Sequence, residues 1–121
     1  MPTKLRPLFS SYLSHLERKG DKDETVKRNR HALARHDAWL SEQWIEPPKV
    51  TELVVEEYFA WLDGAVEQTT ANREAGMVRG AYRYAVRIGM IDKNPAEFVK
   101  APSDPLVVVF KVVAKLSVNE R

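Results

Sequence analysis

Residues 70–95, TANREAGMVRGAYRYAVRIGMIDKNP, constrain the fold more than any other part of the chain. Set on a helix, Ala71, Ala75, Val78, Tyr82, Ala85 and Val86 recur along one side. Met77, Ala81, Tyr84 and Ile88 widen that apolar arc. Asn72, Arg73, Arg79, Arg83 and Arg87 gather on the opposite side, with Gly76 and Gly80 between them. A glycine inside an exposed helix face costs roughly 1 kcal/mol against alanine. Two of them imply close approach of another backbone or a ligand. A glycine-notched arginine face suits a phosphate backbone; the plain alternative is a solvated basic face.

The rest of the chain supplies partners for this helix. Residues 7–19 open with Pro7, which suits a first helical turn because its missing N–H would have no partner there. Leu8, Phe9, Tyr12, Leu13 and Leu16 make the apolar stripe, and Gly20 ends it. A second helix runs over about 24–43 with Val26, Leu33, Trp39 and Leu40 inward; Asn29 and His36 fall in the same arc and weaken it. Pro47 and Pro48 stop it. A third helix lies within 51–63, entered through a Thr51 cap or nearer Val55, with Gly64 as its stop. Gly89 ends the fourth. Asn94 and Pro95 read as a cap and first-turn proline for a short fifth helix through Val99.

These elements make an all-α bundle of four main helices plus a short fifth. One helical domain is expected over residues 1–100. Residues 101–121 read as a linker and an extended C-terminal tail. Within the tail, LVVVFKVVAKL has the β-branched composition of a buried strand belonging to a following domain.

At 121 residues and 44% hydrophobic, the chain can bury a small core. Its net charge of +2 says little about partners; the distribution says more. Glu52, Glu56, Glu57, Asp63 and Glu67 make the third helix acidic, whereas the fourth is basic. The absence of cysteine excludes disulfides, thiolate catalysis and cysteine zinc sites. No signal peptide or bilayer-length apolar run occurs, so a cytoplasmic chain with no membrane partner is expected.

Catalytic patterns are missing. His31 and His36 are five residues apart, on different helix faces, so no metal site is expected from them or His15. Glu56 and Glu57 point about 100° apart on a helix. Ser10, Ser11 and Ser14 have no evident orienting acid. No phosphate loop is present, and neither a cofactor nor a small-molecule substrate is expected. The second helix does carry another basic stripe, Lys27, Arg28, His31 and Arg35, opposite Val26, Leu33 and Leu40.

Three patches resemble a known family. The first is Thr25, Leu33, Trp39 and Leu40; the second is Thr70-Ala71-Asn72-Arg73 followed by Tyr82-Arg83-Tyr84-Ala85; the third is Gly89-Met90-Ile91-Asp92-Lys93-Asn94-Pro95. In this order they are similar to the N-terminal, SAM-like core-binding domain of tyrosine recombinases of the phage-integrase type. The likeness covers about residues 5–100. Leu116-Ser117-Val118-Asn119-Glu120 is similar to the entry of that family's catalytic domain. The chain departs from the pattern at Asn29 and His36, where the family usually carries aromatics.

The resemblance implies a DNA-binding domain that clamps duplex DNA through its second and fourth helices beside other recombinase protomers. It implies that the chain is non-catalytic by itself, the nucleophilic tyrosine and its partners lying in a C-terminal domain. Candidate DNA contacts are Lys27, Arg28, His31 and Arg35 on the second helix. On the fourth they are Thr70, Asn72, Arg73, Gly76, Arg79, Arg83 and Arg87. The alternatives are a helical protein-interaction bundle and a small transcription regulator; the latter needs a compact helix-turn-helix pair that the sequence does not show.

Overall fold

The computed structural model describes residues 5–100. Helix α1 spans Pro7–Arg18, α2 Asp23–Glu42, α3 Glu52–Ala65 and α4 Gln68–Arg87, with a single 3-10 turn at Pro47–Lys49. No strand occurs among the described residues. The expected linker, tail and strand of 101–121 lie outside the described residues.

Helix α4 is the centre of the bundle and packs against each of the other three. Its buried side is dominated by small residues: Ala71, Ala75, Ala81 and Ala85, with Val78 and Tyr82. Small side chains let neighbouring helix axes come close. Leu8, Phe9, Leu13 and Leu16 fill the space from α1, Val26, Leu33, Trp39 and Leu40 from α2, and Val55, Tyr58, Phe59 and Leu62 from α3.

Asn29 and His36 do not loosen α2, because both are buried with partners. Asn29 Nδ2 donates to the Thr25 carbonyl at 2.9 Å, one turn back. His36 Nε2 lies 2.7 Å from Tyr82 Oη on α4. Its ring stands among Phe9, Tyr58 and Tyr82, with centroids at 5.5, 4.3 and 5.7 Å. Burial, with Arg6 nearby, pushes its pKa down to about 3, so the imidazole is neutral. Neither His36 Nδ1 nor Tyr58 Oη finds a partner among the described residues.

The segment before α1 is pinned by one side chain. Arg6 Nε donates to Asp37 Oδ1, and its two terminal nitrogens donate to the carbonyls of Ile45 (3.0 Å) and Asp37 (3.1 Å). The Arg6 backbone N–H adds a bond to Asp37 Oδ2 at 3.2 Å. Asp37 is buried, so these bonds offset the cost of placing a carboxylate in the core.

Three helices end in the same way. After α1, Gly20 is left-handed (φ 86°), and Asp21 N–H bonds the Leu16 carbonyl at 3.1 Å. After α4, Gly89 does the same (φ 82°), with Met90 N–H on Ala85 at 2.9 Å. After α2 the residue at this position is Trp44, at φ 60°, with Ile45 N–H on Leu40 at 2.9 Å. These are Schellman closures, which satisfy otherwise orphaned carbonyls and favour glycine at the left-handed position.

Two expectations need correction. Gly64 does not stop α3; it lies inside the last turn, and the helix runs to Ala65. Of the two starts left open, the Thr51 cap is the one that forms, with Thr51 Oγ1 accepting from Val54 N–H at 3.3 Å. The short fifth helix is a turn over 95–98. Asn94 Oδ1 does cap Ala96 N–H at 2.9 Å, but the following bonds are three-residue closures, Glu97 on Asn94 and Val99 on Ala96. The carbonyls of Ala96 and Val99 also accept from the Arg79 guanidinium.

Candidate nucleic-acid interface

The outer side of α4 is built by helical spacing from the core side. With Ala71, Ala75, Val78 and Tyr82 inward, Asn72, Arg73, Gly76, Arg83 and Arg87 come out exposed along one stripe. Thr70 stands half-buried at the start of the helix. Among the described residues, Arg73, Arg83 and Arg87 make no ion pair, so their guanidinium groups face solvent.

Arg79 lies at the edge of this stripe and is engaged. Its Nε donates to the Ala96 carbonyl at 3.0 Å and Nη2 to that of Val99 at 2.7 Å. It ties the segment after α4 back onto the helix. Asn94 Nδ2 returns a bond to the Arg79 carbonyl at 3.3 Å.

On α2, Lys27, Arg28 and His31 are exposed and Arg35 is half-buried. Arg28 stands 3.8 Å from Glu24 one turn back, with both side chains more than half exposed, a pairing worth little in water. Arg35 is different. Its Nε donates to Glu74 Oε1 on α4 at 2.9 Å, and the Glu74 side chain is 8% exposed. The bond joins the two basic helices at their packing line. Glu74 belongs to neither stripe of the sequence pattern, although its place three residues after Ala71 puts it on the core side of α4.

Gly76 and Gly80 separate. A Cβ at Gly76 would meet nothing within 4 Å, so this notch is open. At Gly80 a Cβ would stand 2.8 Å from Tyr12 Oη and 3.5 Å from Tyr12 Cζ. What comes close at Gly80 is the side chain of a tyrosine of α1, not the backbone or ligand expected there. Tyr12 belongs to a half-buried group of rings that no sequence spacing brings together. Its centroid lies 5.9 Å from Tyr84 of α4, and His15 stacks on Tyr84 at 4.4 Å. Arg18 Nη2 donates to Tyr84 Oη at 3.3 Å. The rings close the seam between α1 and α4 beside the arginine stripe.

The opposite charge is kept on α3, where Glu52, Glu56 and Glu57 are exposed. Leu53 and Trp61 emerge among them, 63% and 43% exposed. No described helix is long and apolar enough to cross a membrane. Among the described residues no group of three His, Cys, Asp or Glu is placed to hold a metal ion.

Comparison with known proteins matches residues 4–101 to the phage integrase SAM-like domain. Tyrosine recombinase XerD of Pseudomonas aeruginosa is 30% identical over 105 residues, covering 84% of this chain and 35% of that protein. Tyrosine recombinase XerC of Pelobacter propionicus is 30% identical over 53 residues, covering 44% of this chain and 18% of that protein. The chain thus spans about a third or less of the length of these relatives. No solved structure gives a significant match. The all-helical architecture and the matched span agree: the chain belongs to the phage integrase SAM-like domain family.

Proposed function

We propose that this chain is the core-binding, DNA-contacting domain of a tyrosine recombinase of the integrase type. It holds duplex DNA with the outer faces of α2 and α4, alongside other recombinase protomers, and performs no strand cleavage itself. The observation that carries this reading is the α4 stripe. Asn72, Arg73, Arg83 and Arg87 are exposed around the open notch at Gly76, on a helix whose other side is the core. Side chains of this kind contact phosphates and position a protein on a duplex. Lys27, Arg28 and His31 extend the surface on α2, and Thr70 and Asn72 add polar contacts. Arg35 and Arg79 act as positioning residues, since their bonds hold α2 to α4 and the following turn to α4.

Five cations then face phosphate: Lys27, Arg28, Arg73, Arg83 and Arg87. Counterion release gives a log–log salt slope of roughly −0.9 per phosphate neutralised, so about −4 to −5 if all five engage. Fluorescence anisotropy on a labelled mixed-sequence duplex, titrated at several salt concentrations, measures this slope. Affinity that does not change between low and moderate salt removes the reading.

A protein-interaction bundle is the second reading, favoured by Leu53 and Trp61 exposed on acidic α3. Salt-insensitive self-association of the chain without DNA, seen by sedimentation, supports that reading instead.

A further inference from the structure

The Tyr12 hydroxyl has no hydrogen-bond partner among the described residues, yet its position is closely defined. It rests on Gly80, where a Cβ would come within 2.8 Å of it. Its ring is held from the side by Tyr84, with centroids 5.9 Å apart. Gly80 is one turn from both Gly76 and Arg83, and Arg87 follows one turn after Arg83. A phenol from α1 thus reaches over the helix at the border of the arginine stripe.

We propose that Tyr12 is a further DNA contact, donating its hydroxyl to a phosphodiester oxygen held by Arg83, and that Gly80 lacks a side chain so that the phenol can lie there. The inference rests on the DNA-binding reading of α4. Its chemistry is that of a neutral donor to an anionic acceptor, stronger than a bond between two neutral groups. Burial, then the charge of Asp21, holds the hydroxyl above the ordinary tyrosine pKa, with Arg83 opposing. The group is therefore a protonated donor at neutral pH. Neither composition nor helical periodicity singles it out, because Tyr12 falls in the apolar stripe of α1.

The test uses the chain and the same labelled mixed-sequence duplex. Tyr12→Phe keeps the ring and removes only the donor. It lowers affinity about tenfold, the usual scale for a hydrogen bond to a charged group. The salt slope stays as it was, because a neutral donor releases no counterion. Thermal melting of the free protein is unchanged. Gly80→Ala, which pushes the hydroxyl off its seat, lowers affinity in the parent but not in the Tyr12→Phe background. Equal losses from Gly80→Ala in both backgrounds, or full affinity in Tyr12→Phe, overturn the proposal. If Arg73→Ala and Arg83→Ala weaken binding while Tyr12→Phe does not, this inference fails and the interface stands. If the two arginine variants also bind normally, the DNA-binding reading fails and this inference falls with it.

Discussion

Arg35 and Glu74 meet at 2.9 Å between α2 and α4, but they are not equally enclosed: the arginine side chain is 38% exposed and the glutamate 8%. The first prediction follows from that difference. Removing Arg35 leaves a carboxylate in the core with no cation, whereas removing the charge on Glu74 leaves an arginine that water can reach. Arg35→Ala is expected to cost about 2–4 kcal/mol and Glu74→Gln about 1 kcal/mol. The double variant should be more stable than Arg35→Ala alone. Urea denaturation of the three variants checks the order, and equal costs for the two single changes count against it.

His36 carries the second prediction, which concerns acid. An unfolded histidine titrates at the ordinary value of 6.5, and the buried one at about 3. Between these values the unfolded chain binds more protons than the folded one, so stability falls as pH falls. The contribution is fully present above 6.5 and is lost progressively toward 3. At 1.36 kcal/mol per unit, acidifying from pH 7 to 5 costs about 2 kcal/mol. His36→Phe removes this dependence. It also leaves Tyr82 Oη without its partner, so at pH 7 the variant is less stable by about 1–3 kcal/mol. The two stability curves should converge on acidification. A variant that keeps the full acid slope shows that other groups produce it.

Trp44 gives the third. It holds the left-handed position that Gly20 and Gly89 hold after the other two helices, and its side chain is 94% exposed. The indole returns no packing for a backbone conformation that costs an L-residue roughly 1–2 kcal/mol. Part of that gain is offset by the greater freedom of glycine in the unfolded chain. Trp44→Gly is therefore expected to raise stability by about 0.5–1 kcal/mol, read as a higher denaturation midpoint at unchanged slope. A destabilised variant means the indole packs against something in solution.

The core was readable in the sequence because it repeats. Leu33, Leu40, Val78 and Tyr82 recur at helical spacing, and the structure buries all four. The caps were readable where chemistry is local, as at Gly20, Gly89 and Asn94, whereas at α3 local chemistry left Thr51 and an entry near Val55 both open. Three features were not readable, each for want of a distant partner. Arg79 points outward by its helical angle, but the carbonyls it binds arrive 17 and 20 residues later. Glu74 finds Arg35 across 39 residues. Tyr12 reads as core by its spacing in α1 and only the crossing of α1 over α4 brings it to Gly80. The arginine stripe itself was legible from one helix, since an outward face is what remains once the inward face is known.

The two glycines of α4 supply the fourth prediction, because periodicity treats them alike and the structure does not. Both lie in a helix interior, where alanine is favoured over glycine by about 1 kcal/mol. At Gly76 an added methyl meets nothing within 4 Å, so Gly76→Ala should gain nearly all of that. At Gly80 the methyl would sit 2.8 Å from Tyr12 Oη, and the phenol must swing away, loosening its contact with Tyr84. Gly80→Ala should gain little or lose slightly, leaving a gap of about 0.5–1 kcal/mol between the variants. In a Tyr12→Ala background nothing obstructs the methyl, and Gly80→Ala should there stabilise as much as Gly76→Ala. Thermal melts of the two glycine variants in both backgrounds measure the gap. Equal gains in the parent chain would mean that Tyr12 does not rest on Gly80 in solution.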